Sequence, residues 1–190
     1  MISITRFLKS ITEYEKLGKA NIFPTQYGCK NCGYIGKLHR HGFYSRNVIT
    51  QYTAYQIFIL RVKYPSCNKT YSLLPSFLIP YYQYSFDFIF LCLYYIYIKK
   101  HSYLKIVSIF KQLNPKTSFS ISNIRFYKKC MNSVNSITNS FFVNFNDLYY
   151  NMNNPSIESV VKKIKLFIEK ESDFNFLYFD NMPRYFFAKT

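Results

Sequence analysis

Residues Arg61–Pro75 read RVKYPSCNKTYSLLP. Cys67 follows Pro65-Ser66 and precedes Asn68, the layout of the second turn of a zinc-knuckle pair, but the position three before it is Tyr64 and not cysteine. The first turn stands upstream in Cys29-Lys30-Asn31-Cys32-Gly33, with C-x-x-C spacing. Structural zinc sites pair two such tight turns, because their backbone N–H groups point at the thiolates. Each turn often closes on a residue at positive φ, usually glycine and sometimes asparagine. Gly33 and Asn68 stand at those places. Between the turns the texture is that of strands: Gly42–Thr50 (GFYSRNVIT) and Tyr55–Val62 are rich in β-branched and aromatic residues, with a break at Gln51–Thr53. Turn, hairpin, turn is the layout of a zinc ribbon.

Tyr64 is a poor substitute for a thiol. A phenol with a pKa of about 10 must lose its proton to bind a metal. Three readings stay open. Cys29, Cys32 and Cys67 hold zinc with water, His39 or His41 in fourth place; or the metal is gone and the hairpin aromatics hold the fold; or Cys67 lies apart from the first pair. His39 and His41 flank Arg40 in LHRHG and read more simply as exposed residues at a strand start. Cys92 and Cys130 fall in helical segments and read as buried or neutral small residues.

The chain has 190 residues, enough for one domain or two small ones, and 49% of them are hydrophobic, enough for a core. Its 20 Tyr and 20 Phe, with abundant Asn, Ile and Lys, match A/T-rich codons. The net charge of +16 is not explained that way, since no acidic residue occurs between Asp87 and Asp147 while Lys99, Lys100, Lys105, Lys111, Lys116, Arg125, Lys128 and Lys129 all do. A one-signed field of this kind attracts polyanions, most simply nucleic acid and less simply an anionic membrane. Five irregularly spaced cysteines do not make a secreted disulfide scaffold. The N-terminal segment lacks a signal-peptide run. Phe88–Ile98 (FIFLCLYYIYI) is half the length a bilayer needs, so it reads as a buried helix. The expectation is a cytoplasmic protein that does not enter a membrane.

The fold class expected is α+β: a small β-hairpin module of zinc-ribbon type followed by a mainly helical region. Residues 1–26 form an N-terminal segment, with a weak helical pattern over Met1–Gly18. Residues 27–80 form the ribbon-like module, closing in the extended connector SLLPSFLIP between Pro75 and Pro80. Residues 81–140 form the helical region, with helices over about Ser85–Lys99, Ser102–Leu113, and from Ser118 or Ser120 to Val134. In the third of these, Ile121, Ile124, Tyr127, Met131 and Val134 face inward and Ser122, Arg125 and Lys129 outward. Residues 141–190 hold an Asn-rich loop (Phe141–Asn154), an amphipathic helix over Pro155–Glu171, and FNFLYF as a short strand or packed tail.

The run CKNCGYIGKLHRHGFYSRNVIT, followed by ILRVKYPSCNKTYSLLPSFLIPYYQYS, resembles the zinc ribbon of bacterial insertion-sequence transposases. It is similar to short bacterial proteins built from that ribbon and a helix-turn-helix. The shared features are the C-x-x-C turn, L-H-R-H-G, R-x-V-I-T, a C-P-x-C turn that reads Tyr64-Pro65-Ser66-Cys67 here, and S-L-L-P-x-F-L-x-P-Y, over residues 27 to 87. The resemblance implies zinc ligands at Cys29, Cys32, Cys67 and the position of Tyr64. It implies a recognition helix over Ser118–Val134, offering Ser122, Asn123, Arg125, Lys128 and Lys129 to DNA, with Arg40, Arg46 and Lys116 as further contacts. Arg and Asn can read base edges, whereas Lys more often binds phosphate. The turn from Leu113 to Ser118 is longer than is usual for the motif.

A transposase of the common type needs three carboxylates holding two metal ions. The nine acids here do not make that set: Glu158, Glu169 and Glu171 lie along one amphipathic helix, and no strand-borne Asp pair stands out. No catalytic residue is assigned and an enzyme is not expected. The function expected is DNA binding beside a separate transposase or as a homo-oligomer. The alternative is a non-catalytic protein-interaction subunit or a decayed mobile-element remnant. A peripheral membrane role for Phe88–Ile98 is a weaker third.

Overall fold

The computed structural model describes residues 2–7, 10–21, 23, 28–29, 31–145, 156–171, 173–182 and 184–187. It is an α+β fold. The strands are β1 (Ile2–Thr5), β2 (His39–Ile49), β3 (Ala54–Lys63) and β4 (Thr70–Pro75); the α-helices are α1 (Ile11–Leu17), α2 (Phe86–Tyr97), α3 (Tyr103–Leu113), α4 (Ile121–Phe145), α5 (Ile157–Glu171) and α6 (Phe174–Asn181). One mixed sheet has the order β1-β4-β3-β2. β2 and β3 form the long antiparallel hairpin read from the sequence. Its turn is closed by Thr50, whose N–H and Oγ1 both donate to the Thr53 carbonyl, at 2.8 and 2.9 Å. Within β2 the register shifts between Arg40 and Gly42, and Gly42 takes φ 108° there. The glycine of LHRHG thus supplies the backbone freedom that the bulge at His41 requires.

Four stretches differ from expectation. Met1–Gly18 is not one helix: Ile2–Thr5 is a strand that pairs in parallel with β4, and only Ile11–Leu17 is helical. The strand is only four residues long, with both central residues buried, too short to show a period of two. The first half of SLLPSFLIP is not a connector, because Ser72–Pro75 belongs to β4: all four residues pair with β1, and Ser72 and Leu73 pair with β3 as well. FNFLYF is the start of α6, capped by Asp173, whose carboxylate accepts from the Phe176 N–H. Its aromatic residues pack on other helices and not across a strand pair, which overrides their strand propensity. The Asn-rich segment is helical at its start, since α4 runs to Phe145; residues 146–155 lie outside those described.

Two apolar cores meet at Leu78 and Ile79. One is built on the sheet, from Tyr14, Val48, Ile57, Ile59, Leu60, Val62, Leu73 and Leu78 among others. The other lies among the helices, from Ile79 through Phe88, Phe110, Ile124 and Phe167 to Phe186. Phe88–Ile98 lies mostly inside it: Phe88, Ile89, Cys92, Leu93 and Ile96 are buried. No helix among the described residues is long and apolar enough to cross a membrane. On α4, Ile124, Tyr127, Met131 and Val134 face the core, as the heptad-like spacing requires, while Ser122, Arg125 and Lys129 are exposed.

The segment between the cores, residues 76–85, is irregular and mostly buried, so its carbonyls need donors from elsewhere. Backbone N–H groups serve some, as Phe86 does Phe77 and Ile49 does Gln83, and two side chains serve four carbonyls. Arg46 Nη2 donates to the carbonyls of Ile79 and Tyr82, at 3.0 and 2.5 Å. Asn175 Nδ2 donates to those of Ser76 and Leu78, at 2.8 and 2.7 Å. One side chain comes from the sheet and the other from α6, so the joint between the cores is pinned from both sides.

Candidate metal centre and basic helix pair

The two knuckles have the same backbone pattern. In the first, the Cys29 N–H donates to Tyr34 O and the Gly33 N–H to Cys29 O, both at 2.8 Å. In the second, the Tyr64 N–H donates to Lys69 O at 3.1 Å and the Asn68 N–H to Tyr64 O at 2.9 Å. Gly33 and Asn68 close the turns at φ 69° and 55°. Residue for residue, Tyr64 therefore stands where Cys29 stands and Cys67 where Cys32 stands. The two turns make the same backbone bonds although one starts on cysteine and the other on tyrosine.

The hairpin carries the second turn back onto the first. The sulfurs of Cys29, Cys32 and Cys67 all lie within 4.8 Å of one another, a group that could hold a metal ion. Cys29 Sγ and Cys67 Sγ are 3.8 Å apart. Zn–S bonds of about 2.3 Å in a tetrahedron set S···S edges of about 3.8 Å, so the pair fits such an ion. The reading that leaves Cys67 apart is excluded. His39 and His41 are exposed and do not belong to the ligand group. His39 pairs with Lys63 in the ladder, and His41 sits at the bulge.

Tyr64 is 1% exposed and its hydroxyl donates to Gly28 O at 3.3 Å. The phenol is thus directed at the backbone beside Cys29 and packs edge-on against Tyr71, with ring centroids 5.0 Å apart. Burial pushes the Cys29 thiol up, but the backbone N–H groups of Asn31 and Cys32 and the Tyr71 and Cys32 side chains outweigh it and bring it down to about 7. The Lys69 N–H pulls the Cys67 thiol down; burial and the sulfurs of Cys32 and Cys29 more than offset this, and the net direction is up. With a metal bound, the three thiolates would tie the two knuckles together across the open end of the hairpin.

Two residues of this centre escape a motif reading. Tyr71 Oη lies 3.7 Å from Cys29 Sγ, and Lys69 Nζ donates to Asn31 Oδ1 at 2.6 Å, bridging the knuckles. The signal for Tyr71 lies in β4, where Tyr71 and Leu73 are the inward members of an alternating pair.

The residues expected at DNA divide into two sets. Arg40, Lys116, Ser122, Arg125 and Lys129 are exposed. Arg46 is half-buried and serves the joint between the cores, a correction forced by the carbonyls of the linker. Asn123 Oδ1 accepts from both the N–H and the Oγ of Ser120, at 2.9 and 3.0 Å, and so caps α4. Lys128 Nζ donates to Tyr103 Oη at 2.9 Å and ties α4 to α3. On α4 the exposed basic residues among those expected at DNA are Arg125 and Lys129, with Lys116 in the preceding turn; Lys105 and Lys111 on α3 are exposed as well.

A separate cleft of about 480 Å³ lies near the joint and is lined by Ser10, Tyr52, Tyr55, Asp87, Asp173 and Asn175 among others. Burial raises the carboxyls of Asp87 and Asp173, and the charge of Asp173 raises Asp87 further. Both sit at helix starts: Asp173 caps α6, with Arg6 Nε at 3.9 Å, and Asp87 is in the first turn of α2. Each stabilises the adjoining helix end.

Residues 29–102 match a family described as a domain of unknown function (DUF6431). No curated protein and no solved structure matches the chain. The matched span takes in all three cysteines, Tyr64, Tyr71, the linker and α2, and it ends at the Ser102 cap of α3, leaving the basic face of α4 outside.

Proposed function

We propose that the protein is a transposase-related DNA-binding protein without a catalytic domain of its own. A zinc ribbon built on Cys29, Cys32 and Cys67 gives it a rigid sheet module. The helix pair α3–α4 acts in the manner of a helix-turn-helix and holds duplex DNA, mainly through phosphates. The observation that carries this reading is the exposed face of α4, where Arg125 and Lys129 stand together with Ser122 in a stretch free of acidic residues from Asp87 to Asp147. Zinc is favoured over other ions by a set of three thiolates on knuckle turns. Tyr64 in the vacated position leaves the ribbon with one thiolate fewer than a complete site. The location expected is the cytoplasm, with a transposase or a second copy of the chain as partner.

A salt titration of duplex binding tests the reading. Six phosphate contacts give a log–log slope of about −5. A flat slope, or no binding at low salt, contradicts it. A protein-interaction role is favoured by one feature of the same helices: Leu104 on α3 is 73% exposed, large and apolar. A basic face that binds no duplex, together with capture of a protein partner lost on Leu104→Asp, would carry that second reading.

A further inference from the structure

We propose that Tyr71, and not Tyr64, completes the cysteine centre: its phenol donates a hydrogen bond to the Cys29 thiolate and positions it for the metal. The inference rests on the metal-centre reading and adds a residue to it. Cys29 is 3% exposed, so its thiolate is a buried anion and needs donors on every side. The knuckle supplies the N–H groups of Asn31 and Cys32. On the sheet side Tyr71 Oη stands 3.7 Å from Cys29 Sγ, within the reach of a hydrogen bond to sulfur.

The placement is fixed by the fold. Tyr71 pairs with Val62 in the β3–β4 ladder, and it is 6% exposed. Its ring is held edge-on by Tyr64. The aromatic residue in the vacated ligand position therefore acts as a wall that aims the next phenol at the sulfur. Tyr64's own hydroxyl is directed to Gly28 O, and the two tyrosines divide the work. Groups that hydrogen-bond metal ligands orient them and tune their donor strength, and their loss typically costs 10–100-fold in affinity.

The test is Co²⁺ binding to the full-length wild-type protein, Tyr71→Phe and Tyr34→Phe. Tyr71→Phe keeps the ring and removes the hydroxyl. The expected result is a Co²⁺ dissociation constant raised about tenfold or more. The thiolate-to-cobalt charge-transfer band should keep its intensity, since all three sulfurs still bind, but move to lower energy as the sulfur loses a donor. Tyr34→Phe, which removes a neighbouring phenol, should change the affinity less than twofold. In the wild type, metal binding should produce no phenolate difference absorbance, a reading that does not depend on how well the variant folds. Tyr71→Phe binding within twofold of wild type, with its band unmoved, overturns the inference and leaves the metal centre standing. A phenolate band on loading overturns it in favour of direct ligation. No cobalt bound by wild type overturns both.

Discussion

Tyr64 occupies in the second knuckle the position that Cys29 occupies in the first: each donates its N–H five residues ahead and accepts from the N–H four residues ahead. The turn is indifferent to the side chain at its start, whereas the metal is not. Tyr64→Cys should therefore restore a fourth thiolate without rebuilding the backbone. Chelator competition should show zinc affinity raised about tenfold or more over wild type, because ligand binding energy adds to a preformed site. Unchanged or weaker affinity would mean that the new sulfur does not reach the ion.

Loss of Cys67 should have the opposite effect. Cys67→Ala removes the only sulfur contributed by the second knuckle, so the metal can no longer bridge the hairpin ends. Elemental analysis of the purified protein should give one zinc per chain in wild type and none in the variant. The melting temperature of the variant should not respond to chelator, while that of the wild type should fall, since metal binding adds to folding free energy.

The Cys29 thiol, lowered to about 7 from 9.0, gives the metal-free protein a pH signature. A depressed pKa adds stability that is fully present above pH 9 and lost as the pH falls through about 7. Unfolding free energy should therefore rise between pH 7 and 9, and Cys29→Ser should flatten that rise. Cys67, shifted upward, works against the trend, so the wild-type minus Cys29→Ser difference is the quantity to plot. A difference curve with no slope in that window contradicts the hydrogen-bonded thiolate.

Arg46 and Asn175 each hold two carbonyls of the linker, of which that of Ile79 also accepts from the Tyr82 N–H at 3.2 Å. Asn175→Ala should cost about 1–3 kcal/mol in a denaturant melt, the penalty for buried acceptors left without donors. Arg46→Ala should destabilise in the same direction. If Arg46 served DNA and not the fold, its removal would weaken duplex binding and leave the melt unchanged.

Much of this architecture can be read from residue order. The knuckle turns follow from Gly33 and Asn68, the hairpin from two β-branched runs, and the inner face of α4 from the spacing of Ile124, Tyr127, Met131 and Val134. What could not be read depends on contacts distant in sequence. β1 is a strand because it pairs with β4, 70 residues away (Ile2 with Ser72). Arg46 looks like any basic strand residue until the linker carbonyls are placed beside it. Tyr71 belongs to no motif, and only the register of β4 brings its hydroxyl to Cys29.

The DNA-binding claim rests on Arg125 and Lys129. The direct measurement is the salt dependence of duplex affinity for the Arg125→Ala/Lys129→Ala variant beside wild type, with matched thermal melts. Two lost phosphate contacts should make the log–log slope shallower by about 2 and weaken binding at low salt. Equal slope and equal affinity, with the fold intact, would contradict the claim and assign this helix pair to a protein partner.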